Sequence, residues 1–213
     1  MSHTLHRRGS AESFKNDFVI FTMAAKGVNE VGSNAKLKRF LEIMRGFDPI
    51  NIGDMKTGNS FIVPAETVVE KAQDTSIVHA VFDDREKFIM AMRAVKEADL
   101  GISIIVSGLR DHTEECCAEA GIKPHTCETS LGIWGKTERL PDEDVLGVST
   151  MCGHGQVPFN LVKKAIELVK TGRATPQQAA EMLARPCQCG VFNPSRAAQL
   201  LEEIVCLWGV RAA

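Results

Sequence analysis

The chain has 213 residues, 44% of them hydrophobic and 24% charged, with a formal net charge of -2. That length suits one large domain, or a domain with a smaller subdomain sharing its core. A near-neutral balance, dispersed basic residues and the absence of tyrosine argue against a nucleic-acid partner, and no apolar run is long enough to span a membrane.

Residues 1–15 are polar and read as a mobile N-terminal tail. Arg7 and Arg8 precede the apolar run that starts at Phe18, but Glu12, Lys15 and Asp17 interrupt the approach. A secretory signal needs an unbroken apolar stretch soon after its positive charges, so this run is expected to be a strand. The expected location is therefore the cytoplasm. In that reducing compartment seven cysteines are not a disulfide framework, and their odd number argues the same way.

Residues 16–125 read as an α/β sheet domain made of two similar passes. Phe18-Val-Ile-Phe-Thr-Met-Ala is a buried strand, and residues 35–44 carry Leu37, Phe40, Leu41 and Met44 on one helical face. Lys36, Lys38 and Arg39 lie on that helix and read as a solvated face. Gly46 ends the helix, and residues 49–53 form a second strand. The loop of residues 54–59 (DMKTGN) lacks the spacing of a phosphate-binding P-loop and reads as a connection. A short helix follows at residues 65–72. The second pass has a strand at residues 76–82 and a helix begun by Asp83 or Asp84. Phe88, Met92 and Val95 form its stripe, and residues 101–107 form the last strand. This doubled order predicts a ferredoxin-like sheet with helices on one face; the alternative is a small doubly wound parallel sheet, which periodicity does not separate from it.

A helix over residues 111–120 carries Cys116 and Cys117, and residues 126–148 read as an irregular connection. From residue 149 to 213 a loop–helix pattern repeats three times, and this helical subdomain is expected to pack on the sheet. Thr175-Pro-Gln-Gln178 has the form of a capping box.

Two loops in this last third are alike. One reads Cys152-Gly-His154-Gly155-Gln-Val-Pro158, the other Cys187-Gln-Cys189-Gly190-Val-Phe-Asn193-Pro194. Each has two soft ligands one residue apart, then a glycine, then a proline suited to the start of a helix. Helix N-termini favour thiolates, and glycine lets backbone N–H groups approach coordinated sulfur. Cys152, His154, Cys187 and Cys189 are therefore the expected metal ligands, three thiolates and one imidazole. Such a set fits an iron–sulfur cluster with one histidine ligand, or a tetrahedral zinc site. Thiolate richness favours iron–sulfur. Cys116, Cys117 and Cys127 are the substitutes for His154, the least secure ligand.

Other residues read more plainly. His79 lies among Val78, Ala80 and Val81 and is expected to be an interior histidine; Cys206 is expected in the core. No nucleophile elbow, zinc-protease motif or dinucleotide fingerprint is present. The expected role is a metal-binding protein of redox or electron-transfer type, with a redox partner protein and room for a homo-oligomer. The alternatives are an α/β enzyme with a pocket between Ser107 and Cys117 and a structural zinc, or a zinc-stapled adaptor.

Overall fold

The computed structural model describes residues 4–211, with side chains as far as residue 207. The chain divides into two units. One comprises Phe14–Cys127 together with Gln188–Val191; the other comprises Met1–Ser13, Glu128–Cys187 and Phe192–Ala213. Five strands and eight α-helices are present among the described residues.

The first unit holds the sheet: β1 (Phe18–Met23), β2 (Asn51–Asp54), β3 (Gly58–Asn59), β4 (Ile77–Phe82) and β5 (Ser103–Ser107). Their spatial order is β3-β2-β4-β1-β5, and every neighbouring pair is antiparallel. Helix α1 (Asn34–Arg45) carries the chain from β1 to β2, and α3 (Arg85–Ala98) carries it from β4 to β5. Each crossing lands one strand beyond its neighbour, and a strand of the other pass fills the gap in the opposite direction. That interleaving overturns the alternative of a doubly wound parallel sheet, which needs each helix to return beside the strand it left.

Side-chain alternation decides what each sheet face meets. Phe18, Ile20, Ile52, Val78, Ala80 and Phe82 join the core formed with α1 and α3. The register sets Phe18 opposite Phe82 and Ile20 opposite Ala80. The helices answer with the predicted stripes, Leu37, Phe40, Leu41 and Met44 from α1 and Phe88, Met92 and Val95 from α3. Phe18 and Phe88 stack at 4.6 Å between ring centroids. Asp84 caps α3 by accepting a hydrogen bond from the Lys87 N–H at 3.0 Å. Two further helices, α2 (Ala65–Lys71) and α4 (Arg110–Glu119), complete the layer. Val19, Phe21, His79 and Val81, at the alternate positions, are buried too, so these strands need apolar residues throughout.

The second unit holds α5 (Glu143–Ser149), α6 (Phe159–Lys170), α7 (Pro176–Ala184) and α8 (Pro194–Arg211). The capping box at Thr175 and Gln178 is formed in both directions. Helix α5 occupies the end of the stretch expected to be irregular, with Val145, Leu146 and Val148 buried. Of the expected tail, residues 1–3 lie outside the described residues. Residues 4–13 are tied to this unit by hydrogen bonds. The Arg8 N–H donates to Thr150 Oγ1 at 2.9 Å, and the buried Arg196 guanidinium donates to the Arg8 carbonyl at 2.8 Å and to Ser13 Oγ at 3.1 Å. These bonds occupy the terminal Nη2 donors of the buried guanidinium and offset part of the cost of holding it inside.

Phe88→Ala is expected to cost about 3–5 kcal/mol through lost burial and a cavity beside Phe18. Met90→Ala, on the exposed side of the same helix, should stay within about 0.5 kcal/mol of the parent. Urea unfolding followed by circular dichroism measures both.

Candidate metal centre

The first loop leaves α5 and turns at Cys152. The Gly155 N–H donates to the Cys152 carbonyl at 3.0 Å, and Gly155 itself has φ +67°, a conformation glycine adopts without strain. This turn aims the backbone N–H groups of His154 and Gln156 at the Cys152 sulfur. Cys152 is 1% exposed, and its thiol is hydrogen-bonded to the thiol of Cys187. Cys187 follows α7, and its own N–H donates to the Ala184 carbonyl at 3.0 Å. Both paired sulfurs therefore belong to the helical unit.

The electrostatics of the pair run in two directions. The hydrogen bond with Cys187 pushes the Cys152 thiol far above its ordinary value, and burial adds to that. The two N–H groups act the other way, because they favour a charged sulfur. Two buried thiolates side by side repel, so without a cation Cys152 stays protonated. A bound divalent metal reverses that balance and puts the N–H groups to use.

At Gln188 the chain joins the sheet unit. Asn59 Nδ2 donates to the Gln188 carbonyl at 3.0 Å, and Asn51 Nδ2 donates to the Gly190 carbonyl at 2.7 Å. Gly190 has φ +83°, and a side chain there would overlap both Asn51 and Asn59. Cys189, between these two anchors, is buried. Asn193 then caps α8, accepting from the Arg196 N–H at 3.0 Å, with Pro194 in the expected first position.

The structure thus pairs Cys152 with Cys187 and fixes the backbone on both sides of Cys189. His154 presents an exposed side chain and contributes its backbone N–H. Among the described residues, no group of three or more His, Cys, Asp or Glu side chains is arranged to hold a metal ion.

The substitute ligands are dispersed. Cys116 and Cys117 fill the helix-side core, where burial pushes both thiols up, and His112 on the same helix lies 5.3 Å from the Phe18 ring. Cys127 is exposed. Cys206, expected in the core, is exposed as well: α8 turns its buried stripe, Ala197, Leu201 and Ile204, elsewhere. His79 is interior, as its strand neighbours imply.

At the proposed enzyme pocket, packing is close: a side chain at Gly108 would come within 2.9 Å of Thr113 Oγ1. An open cleft of about 510 Å³ lies elsewhere, lined by Lys56, Thr57, Glu70, Lys71, Ala72 and Gln73. In the 54–59 loop, Asp54 accepts hydrogen bonds from the Lys56 N–H, Thr57 Oγ1 and Ser76 Oγ, which closes the turn on itself.

Two predictions follow from the thiol burial. In the metal-free native protein, two of the seven thiols, Cys127 and Cys206, should react quickly with a thiol-specific dye at neutral pH. A third fast thiol would contradict the described burial. Because the folded thiol of Cys152 ionises only far above its unfolded value, its contribution to stability is complete below about pH 9 and declines as pH rises beyond it. Cys152→Ala should make denaturation midpoints less steeply pH-dependent over that alkaline range, by about one proton.

Comparison of the chain with protein-family models, with curated proteins and with solved structures finds no match.

Proposed function

We propose that this chain is a cytosolic metal-binding protein whose centre, an iron–sulfur cluster or zinc, serves redox or electron-transfer chemistry with a partner protein. The observation that carries this reading is the pair of backbone N–H groups, from His154 and Gln156, directed at the Cys152 sulfur beside Cys187. A neutral thiol pair serving only as apolar filling accepts such bonds weakly. A coordinated thiolate gains charge-assisted hydrogen bonds, which tune affinity and potential.

Cys152, Cys187 and Cys189 are the thiolate ligands in this reading, and the fourth position falls to an imidazole, His154 in the sequence-based set. Iron–sulfur is preferred over zinc because three soft thiolates suit it. The sheet unit is ferredoxin-like in this reading: two strand–helix–strand passes interleave in the order β2-β4-β1-β5. The likeness is architectural and carries no inference about activity. Residues 149–213 serve as the metal-binding subdomain.

Purification without oxygen, followed by visible absorption and assays of iron, acid-labile sulfide and zinc, tests the reading. A brown protein with iron and sulfide is expected. Cys187→Ser and Cys189→Ser should each lose the metal, whereas Cys206→Ser should keep it. Because the Cys152 thiol is protonated when the site is empty, loading at neutral pH should release its proton. A colourless protein with stoichiometric zinc removes the redox role and leaves the site. Wild-type protein that folds, carries no metal and resists reconstitution removes the site itself.

A further inference from the structure

The sheet has two outer strands, β3 and β5, and they are guarded differently. At one end β3 is only Gly58 and Asn59, too short to template another chain. At the other end β5 reads Ser-Ile-Ile-Val-Ser, with no charge and no proline. Its register with β1 is unbroken, from Ser103 opposite Met23 to Ser107 opposite Val19, so no bulge twists this edge away. Among the described residues no strand lies beyond it. Ile104 and Val106 pack against the helix-side core yet stay partly exposed, as does Ile105 on the opposite face. An apolar edge without such guards is a template for a further strand.

We propose that β5 pairs antiparallel with β5 of a second copy of this chain, about a two-fold axis at Ile105. The strand's own sequence selects that occupant. An antiparallel pair centred on Ile105 sets Ser103 opposite the partner's Ser107, Ile104 opposite the partner's Val106, and Ile105 opposite the partner's Ile105. Read from either end, the strand presents one small hydroxyl residue, then β-branched aliphatic residues, then the other hydroxyl residue. A two-fold interface requires that self-complementarity, because the same surface serves on both subunits. β-Branched side chains facing each other across a pair also pack well. Ile104 and Val106 are then covered by the partner's Val106 and Ile104, so the helix-side core continues from one sheet into the next. The pairing stands independently of the metal-binding reading.

Sedimentation equilibrium of the full chain tests the pairing, with a thiol reductant present so that the exposed Cys127 and Cys206 cannot cross-link copies. The wild type should form dimers at micromolar concentrations. Ile105→Lys and Ile105→Glu should each weaken self-association at least about tenfold, because like charges then face each other across the axis. An equimolar mixture of the two variants should associate more tightly than either alone. Hydrogen exchange of the wild type supplies a second measurement: amides in residues 103–106 should become better protected as concentration rises through the dimerisation range. A wild type that stays monomeric throughout overturns the proposal. So does a dimer that both variants retain, a mixture no tighter than its components, or a wild-type dimer whose formation leaves exchange in β5 unchanged. The exchange measurement needs no substitution, so it decides the assignment even if both variants fail to fold.

Discussion

Asn51 and Asn59 each use a side-chain amide to hold a backbone carbonyl more than a hundred residues away, at separations of 139 and 129 positions. Such bonds close very long loops, and that closure is entropically unfavourable. They persist because a buried amide without a partner would cost more than the bond itself contributes. Two glycines are conditions of the arrangement. Gly190 accepts a left-handed backbone with the Asn51 and Asn59 side chains against it, and Gly53 leaves space for the Cys189 carbonyl. The segment Gln188–Val191 is therefore part of the sheet unit although it lies far along the chain. The geometry around Cys189 follows from that.

The cysteines show how environment sorts identical side chains. Cys116 and Cys117 are surrounded by the helix-side core, and burial is the largest influence on each. They behave as small apolar groups. Cys152 is as deeply buried, but its largest influence is the neighbouring thiol, and two backbone N–H groups oppose the upward shift. Cys116 feels the Arg85 guanidinium, which also favours charge, but of the three sulfurs only that of Cys152 is met by backbone N–H groups. The distinction lies in what surrounds the sulfur, since burial is common to both.

Local signals in the sequence were strong enough to place most elements. The stripe Leu37, Phe40, Leu41 and Met44, the cap at Asp84 and the capping box at Thr175 and Gln178 each act within one or two helical turns. They appear where expected. The interleaved strand order was beyond such signals, because periodicity describes the faces of a strand and says nothing about its neighbour. Helix α5 is only seven residues long, too short for its pattern to stand out after the glycine- and proline-containing stretch before it. The pairing of Cys152 with Cys187 was anticipated from two similar loops. The exposure of His154 was not, because ligand spacing carries no information about side-chain direction. Nor was the meeting of His79 with the Cys189 carbonyl beside Gly53 legible, since it depends on a glycine in one strand and a loop 110 positions beyond the histidine.

The buried guanidinium of Arg196 has a consequence for synthesis. It holds residues 8 and 13, so the helical unit joins segments more than 180 residues apart in the order of synthesis. The sheet unit has most of its residues early, in Phe14–Cys127, yet Gln188–Val191 also belongs to it. Neither unit can complete its packing during elongation of the first two hundred or so residues. The strands and helices of the sheet can form early, but full cooperativity waits for residues 188–196 to emerge. Contacts of such long range slow folding and prolong the exposure of apolar surface. In a cell, newly made chains of this protein would spend that interval as substrates for chaperones.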